Sequence, residues 1–342
     1  MSHNQINKLK ILYVTTHMPC PPNKGASLRV LNIGRQLKKS NQVTIVYVGP
    51  VPSEESQLAT RTEFEQLLIM KNSTRKLPQK LKKLIKKFNF HWPWYHADKV
   101  SCSDREHFFN LLKKHDLVWF HTLPAADAFG RYRYDNSLID IDDLAQIKYA
   151  LKLKTATNLR EKIASRCLMY KWTRWEKHVL NRFKIAAVCS RQDKETLGGD
   201  SRICIVPNGY EMPAEKPMWK PRNQMSLGFI GHLEYNPNRL GLKWFAEKIW
   251  PLIKDKIPNA RFRVVGKIPE DDTFLKFPGF EPTGFIEDTT SEFATWSAMV
   301  VPLQYGGGTR LKILDAFSKM CPVIATPVGA YGLAVNLSLI HI

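Results

Sequence analysis

The chain lacks most of the short motifs that fix a chemistry at sight. Its six cysteines are scattered (Cys20, Cys102, Cys167, Cys189, Cys204, Cys321) and form no CxxC pair. That spacing gives no case for zinc or for a disulfide framework. Cys189 and Cys204 stand in apolar, strand-like runs, which reads as buried thiols in a reducing compartment. The opening MSHNQINKLK has no apolar signal core. No run approaches the ~18 apolar residues that span a bilayer. The expected compartment is therefore the cytoplasm. A Walker GxxxxGK[ST] loop is missing, and so is the dinucleotide fingerprint GxGxxG. No helix-turn-helix, zinc-finger or RNA-binding signature is present, so no nucleic-acid partner is expected. Acidic residues are scarce: 31 Asp and Glu face 51 Lys and Arg, a net charge of +20. Such a surplus points to a polyanion, and without nucleic-acid motifs the candidates are an anionic membrane face or a phosphorylated substrate.

What is present is an alternation of strand and helix. The length of 342 residues with 44% hydrophobic residues fits two domains, each with its own core. KILYVTT (10–16), a helical pattern over 26–39 and QVTIVYV (42–48) make a βαβ unit, hence a parallel sheet. Buried strands are expected at 116–121, 137–142, 184–190 and 203–207, with a long helical region at about 144–182. A Pro-rich polar stretch at 207–225 reads as a linker. The pattern then restarts with strands at 226–232, 260–266, 298–303 and 322–326 and an amphipathic helix at 240–257. The domains expected are 1–206 and 226–342, two tandem Rossmann-like α/β units. Ligands of such sheets sit outside the carboxyl ends of the strands, often in an interdomain cleft.

Two glycine-bearing loops follow strands. In VPLQYGGGTRLKILDAF (301–317), Gly306, Gly307 and Gly308 separate a strand from a helix whose first turn carries Arg310 and Lys312. Cations at a helix start are unfavourable unless an anion is bound there. Three glycines in a row cost roughly 1 kcal/mol each against alanine in regular structure. Together they point to a phosphate on the helix N-terminus. Asp315, further along, could accept bonds from a ribose diol or pair with Lys312. The loop after the first strand ends in Gly25, with Ser27 able to cap the next helix; it is either a second phosphate contact or an ordinary turn.

The order of these pieces resembles the glycosyltransferases of GT-B fold, specifically the retaining family 4 of bacterial sugar transferases. The resemblance runs from about 10 to 333. It rests on IVPNGYE, on GFIGHLEYNPNRLGLKWF and on VPLQYGGGTRLKILDAFSKMCPVIATPVGAYGL. It implies a nucleotide-diphosphate sugar as donor, no cofactor and no metal, and a polysaccharide or polyprenyl-linked acceptor in exopolysaccharide or lipopolysaccharide biosynthesis. The donor contacts implied are Gly25, Gly231, His232, Gly307, Gly308, Thr309 and Asp315. His121, Arg310 and Lys312 are the expected catalytic residues, and Arg29 and Asp142 the acceptor-side residues. His121 looks like the histidine that members place near the transferred sugar; the plainer reading is a core or capping histidine.

The chain also departs from that pattern. Many members carry two glutamates in the last motif, where this chain has Gly307 and Asp315. Many place an Arg after the second domain's first glycine, where this chain has His232. Arg310 and Lys312, with Arg239 as a further candidate, are left to neutralise the diphosphate. DIDD at 140–143 resembles a metal-binding DxD, but that motif belongs to a different, single-sheet transferase fold, so a capped strand end is expected instead. In RKLPQKLKKLIKKFNFHWPWYH (75–96) an apolar stripe is flanked by Lys82, Lys83, Lys86 and Lys87 and followed by Trp92 and Trp94. This is the pattern of a helix lying in a membrane interface, and it predicts peripheral attachment at the inner face of the cytoplasmic membrane. A core-facing helix with a solvated lysine face would look the same. Members continue past Val335 with a further helical region, so the second domain is expected to be incomplete here. Two alternatives share the motifs: a sugar-nucleotide 2-epimerase, for which no convincing carboxylate pair is found, and a non-catalytic sugar-nucleotide or membrane-binding scaffold.

Overall fold

The computed structural model describes residues 8–22, 25–73, 99–130, 132–210, 219–220, 224–269 and 272–333. The expected membrane segment, with Lys82, Lys83, Lys86, Lys87, Trp92 and Trp94, lies outside the described residues. Among the described residues no helix is long and apolar enough to cross a membrane. The chain divides into two compact units, Met1–Gln146 with Cys167–Asn208, and Ile147–Arg166 with Gly209–Ile342.

The first unit is built on β1 (Lys10–Thr15), β2 (Gln42–Gly49), β3 (Gln66–Ser73), β4 (Lys99–Val100), β5 (Leu117–His121), β6 (Tyr134–Ile141), β7 (Phe183–Val188) and β8 (Ile203–Ile205). Their order is β4-β3-β2-β1-β5-β6-β7-β8. All neighbours run parallel except β3 and β4. The apolar runs of β1 and β2 are buried on both faces beyond their first residue, as a parallel sheet covered by crossover helices requires. The helix Gly25–Lys38 makes the first crossover; it begins at Gly25 itself, so that glycine is in the first turn rather than before it. Strand order reverses at β1, which sets the loops after β1 and β5 side by side at the carboxyl edge. The expected helical region at 144–182 is two helices, Ala145–Thr155 and Leu159–Lys177. Asn158 divides them: its side-chain oxygen accepts the Glu161 N–H at 2.8 Å and caps the second helix.

The second unit holds β9 (Ser226–Ile230), β10 (Arg261–Val265), β11 (Phe280–Gly284), β12 (Ala298–Val301) and β13 (Val323–Ala325). They are all parallel, in the order β11-β10-β9-β12-β13. Alternate residues feed two cores. Leu227, Phe229, Ala298 and Val300 join Leu242, Phe245, Trp250 and Phe262 on one face. Met299 and Val301 join Phe293, Trp296, Ile313 and Val323 on the other. Each large side chain buried in this way contributes about 1.5–3 kcal/mol. Gly228 of β9 leaves room for an indole: a Cβ there would lie 2.2 Å from the Trp296 ring. The single helix expected at 240–257 is two, Asn236–Lys248 and Trp250–Lys256, because Pro251 removes a backbone donor and starts a new helix. The order reverses between β9 and β12, so the loops after these two strands flank the crevice where a sheet of this kind takes its ligand.

Candidate active site

After β12 the chain turns through Gly306, Gly307 and Gly308 into the helix Leu311–Ser318. Gly306 (φ 132°) and Gly308 (φ 72°) adopt conformations that side chains disfavour. A Cβ on Gly306 would lie 2.8 Å from Arg310 Nη2. Arg310 is the residue before the helix rather than part of its first turn. It is buried, and its Nη1 donates to the Gly307 carbonyl, so the guanidinium braces the glycine loop from within. No side chain caps this helix, and no acidic residue stands in its first turn. The Thr309 hydroxyl is buried without a hydrogen-bond partner. An anion at the helix start would meet backbone donors and the positive end of the helix dipole.

Lys312 lies in that first turn, and its position is set by the neighbouring loop. The Nζ donates to Asn238 Oδ1 at 3.1 Å and lies 4.0 Å from the centre of the Phe229 ring. A Cβ on Gly231 (φ 154°) would come within 2.7 Å of the same nitrogen. The amine therefore reaches from the β12 side of the switch point to the end of β9. Burial, with the Arg310 charge beside it, brings Lys312 down to about 7. Among the described residues no carboxylate pairs with it. Asn238 holds the arrangement: its Nδ2 donates to the His232 carbonyl at 2.9 Å while its Oδ1 takes the lysine.

Asp315, expected at a ribose or on Lys312, and Arg239, a further candidate for the diphosphate, are engaged elsewhere. Asp315 pairs with Lys319 at 3.1 Å, one helical turn on, and not with Lys312. Arg239 donates through Nε to the buried Asp272 at 2.5 Å. His232 accepts the Lys267 N–H at Nδ1 (3.3 Å), and its ring stacks on Phe285 with centroids 6.4 Å apart. Beyond it, at the ends of β10 and β11, Ile268, Leu275, Phe285, Lys267 and Glu234 line a pocket of about 600 Å³. Gly266 (φ 141°) lets that edge touch the Gly231 loop, since a Cβ there would lie 2.3 Å from the Gly231 carbonyl.

The first unit carries a separate polar cluster at its own switch point. The register of β5 and β6 places His121 beside Asp140. His121 Nδ1 lies 3.1 Å from Asp140 Oδ2, and both side chains are fully buried. Arg29, 2% exposed, grips the same carboxylate through Nε (2.8 Å) and Nη2 (2.6 Å). Burial pushes the Asp140 carboxyl up, but the Arg29 charge and the bonds from His121 and Arg29 outweigh it and hold it below its usual value. The His121 Nε2 has no hydrogen-bond partner. Arg29 also donates through Nη1 to the Val206 carbonyl (3.0 Å) and Asn208 Oδ1 (2.9 Å). Arg29, expected on the acceptor side, thus has its side chain buried among these partners. Asp142 is partly exposed, lies 3.7 Å from Arg29 Nε, and accepts Cys189 Sγ at its carbonyl (3.1 Å). Asp140, within β6, and Asp142, just past its end, thus belong to this network.

Sequence reasoning does not single out Asn238 and Phe229, the two residues that meet Lys312. Asn238 offered one signal, a polar residue directly after Pro237 in the first turn of a helix. Asp140 was noticed, but its partner lies on another strand.

The two sheets with their strand orders are two Rossmann-like domains, the GT-B fold. Similar solved structures share it, all at low identity. HepE from Anabaena, solved in complex with UDP and glucose, has a TM-score of 0.56 and 14% identity, with 94% of this chain and 81% of that one covered. A mutant of TarM from S. aureus, in complex with fondaparinux, α-GlcNAc-glycerol and UDP, has 0.60 and 11%, covering 94% and 86%. A glycosyltransferase from Rickettsia africae has 0.60 and 14%, covering 98% and 84%. Residues 224–336 match the family model described as glycosyl transferases group 1. No curated protein matches the chain. The family match and the fold together support a glycosyltransferase.

Proposed function

We propose that this chain moves a hexose-type sugar from a nucleotide-diphosphate donor to a polysaccharide or lipid-linked acceptor, with retention, in cell-surface glycan biosynthesis. The observation that carries the reading is the Lys312 amine, enclosed beside Gly231 at an uncapped helix start, with no carboxylate among the described residues to neutralise it. A diphosphate supplies the missing charge. Its oxygens would take the backbone donors around Thr309, the Thr309 hydroxyl and Lys312, and its base would enter the pocket beside Phe285 and Ile268. Catalysis is then electrostatic: fixed donors stabilise the charge that develops on the departing diphosphate. The acceptor hydroxyl attacks from the donor's own face. His121, whose buried Nε2 has no hydrogen-bond partner, is the candidate catalytic residue of the first unit. Two structural neighbours hold UDP, which makes uridine donors the first to test. Calorimetry with UDP and GDP, followed by a panel of their sugars, tests the reading: saturable binding to one nucleotide supports it, and binding to neither refutes it.

The segment 75–96 would hold the protein at the inner face of the cytoplasmic membrane. Its support is the basic, amphipathic sequence pattern.

A further inference from the structure

One carboxylate in the first unit serves two nitrogen bases. Asp140 accepts from the Arg29 guanidinium at both oxygens and from the His121 imidazole at one. A guanidinium keeps its proton at any working pH, so one of the two cations is fixed. We propose that Arg29 is a positioning residue that sets the charge of His121. By occupying the Asp140 carboxylate it keeps the imidazole neutral, with its single proton on Nδ1 and its Nε2 a bare acceptor.

The surroundings bear this out group by group. Nδ1 faces a carboxylate oxygen and must donate to it, so the proton of a neutral ring sits there. A second proton on Nε2 would place another cation on a carboxylate already matched by Arg29, inside a fully buried site. The other groups facing this Arg29–Asp140–His121 cluster come from β1, the loop after it, and the ends of β6 and β7. Tyr13 of β1 is buried, and burial raises its phenol well above the ordinary value, so it stays neutral. His17, in the loop after β1, meets the ring edge-on at 5.8 Å between centroids. Cys189, after β7, is a thiol that burial keeps protonated. Asp142, after β6, is the remaining carboxylate; it is partly exposed and leans on Arg29 from 3.7 Å. Arg29 is itself fixed at its far side by Val206 and Asn208. A lysine could replace its charge but not this fork of bonds.

The inference rests on the glycosyltransferase reading only for its kinetic arm. The direct test is 15N NMR of the ring nitrogens in histidine-labelled protein at pH 7, with His121→Gln to assign the signal. Wild type should show one protonated and one bare nitrogen, the bare one being Nε2. Arg29→Gln should show two protonated nitrogens, because the imidazole takes over as the cation for Asp140. The double variant Arg29→Gln/Asp140→Asn removes both charges and should return the neutral ring. If Arg29→Gln does not fold, Arg29→Met, which keeps the apolar stem and removes the charge, takes its place with the same expected result. A doubly protonated ring, or a proton on Nε2, in the wild type would overturn the proposal. So would a neutral ring in a folded Arg29→Gln. In the kinetic arm, the acid limb of the rate of nucleotide release from the donor should move to higher pH in Arg29→Gln, the direction an unshared opposite charge imposes. A uniform loss at all pH with an unmoved limb would mean a merely structural arginine. Absence of any release, with the NMR pattern as expected, would refute the transferase reading and leave the role of Arg29 standing.

Discussion

Replacing Lys312 by Met removes the amine and keeps the apolar stem that packs on Phe229. A charge-assisted bond to phosphate is worth roughly 1.5–3 kcal/mol. The dissociation constant for UDP should therefore rise about 10- to 150-fold. The pH dependence is more specific. Lys312 in the free protein titrates at about 7, whereas beside a diphosphate it would stay charged. Binding then takes up a proton, and affinity should fall about tenfold for each pH unit above 7. Calorimetry at pH 6.5, 7.5 and 8.5, in two buffers of different ionisation enthalpy, measures both the affinity and the proton. The stability effect has the opposite sense. The unfolded chain holds this proton to the ordinary lysine value and the folded chain only to about 7. Between those pH values the unfolded state binds more protons, so stability rises with pH there. Lys312→Met should abolish that rise and melt no lower than wild type near pH 7. Unchanged UDP affinity in the variant, or wild-type binding with no proton uptake at pH 8.5, would refute the reasoning.

Gly306→Ala should weaken UDP binding, because the φ of 132° and the 2.8 Å approach to Arg310 both force the loop to shift; calorimetry with normal affinity would show that the loop tolerates a side chain. Gly228→Ala should lower stability by about 1–3 kcal/mol through overpacking, since the new methyl meets Trp296 at 2.2 Å; an unchanged urea midpoint would contradict the packing described. Lysine-to-glutamate changes at 82, 83, 86 and 87 should abolish salt-sensitive co-sedimentation with anionic vesicles. Each lysine near such a surface contributes about 1 kcal/mol, and wild-type protein that ignores the vesicles at low salt would end the membrane proposal.

Periodicity and turn residues made the two parallel sheets legible, because buried parallel strands are near-continuous apolar runs and their crossovers are amphipathic helices. β3 escaped notice because no Gly or Pro separates it from the helix Glu54–Phe64; the corner is made by Glu65 at φ 60°, a conformation that this residue type does not advertise. The glycine loop, set between a strand and a helix start, was legible from spacing alone. The partners of its charges were not. Arg310 turns back on Gly307, Arg239 on Asp272 and Asp315 on Lys319, and only three-dimensional packing decides which cation is left for a ligand. Lys312 owes its position to Asn238, 74 residues away. The Arg29–Asp140–His121 network likewise depends on the pairing of β5 with β6, which strand patterns do not specify.

The central claim is that the Gly306–Gly308 loop and Lys312 hold the diphosphate of a sugar donor. It is tested most directly by 31P NMR of a panel of uridine and guanosine diphosphate sugars titrated with wild-type protein and with Lys312→Met. The account predicts that the diphosphate resonances of at least one donor shift and broaden with wild type and recover their free positions with the variant. Resonances unmoved by wild type across the panel, or moved equally by the variant, would contradict it.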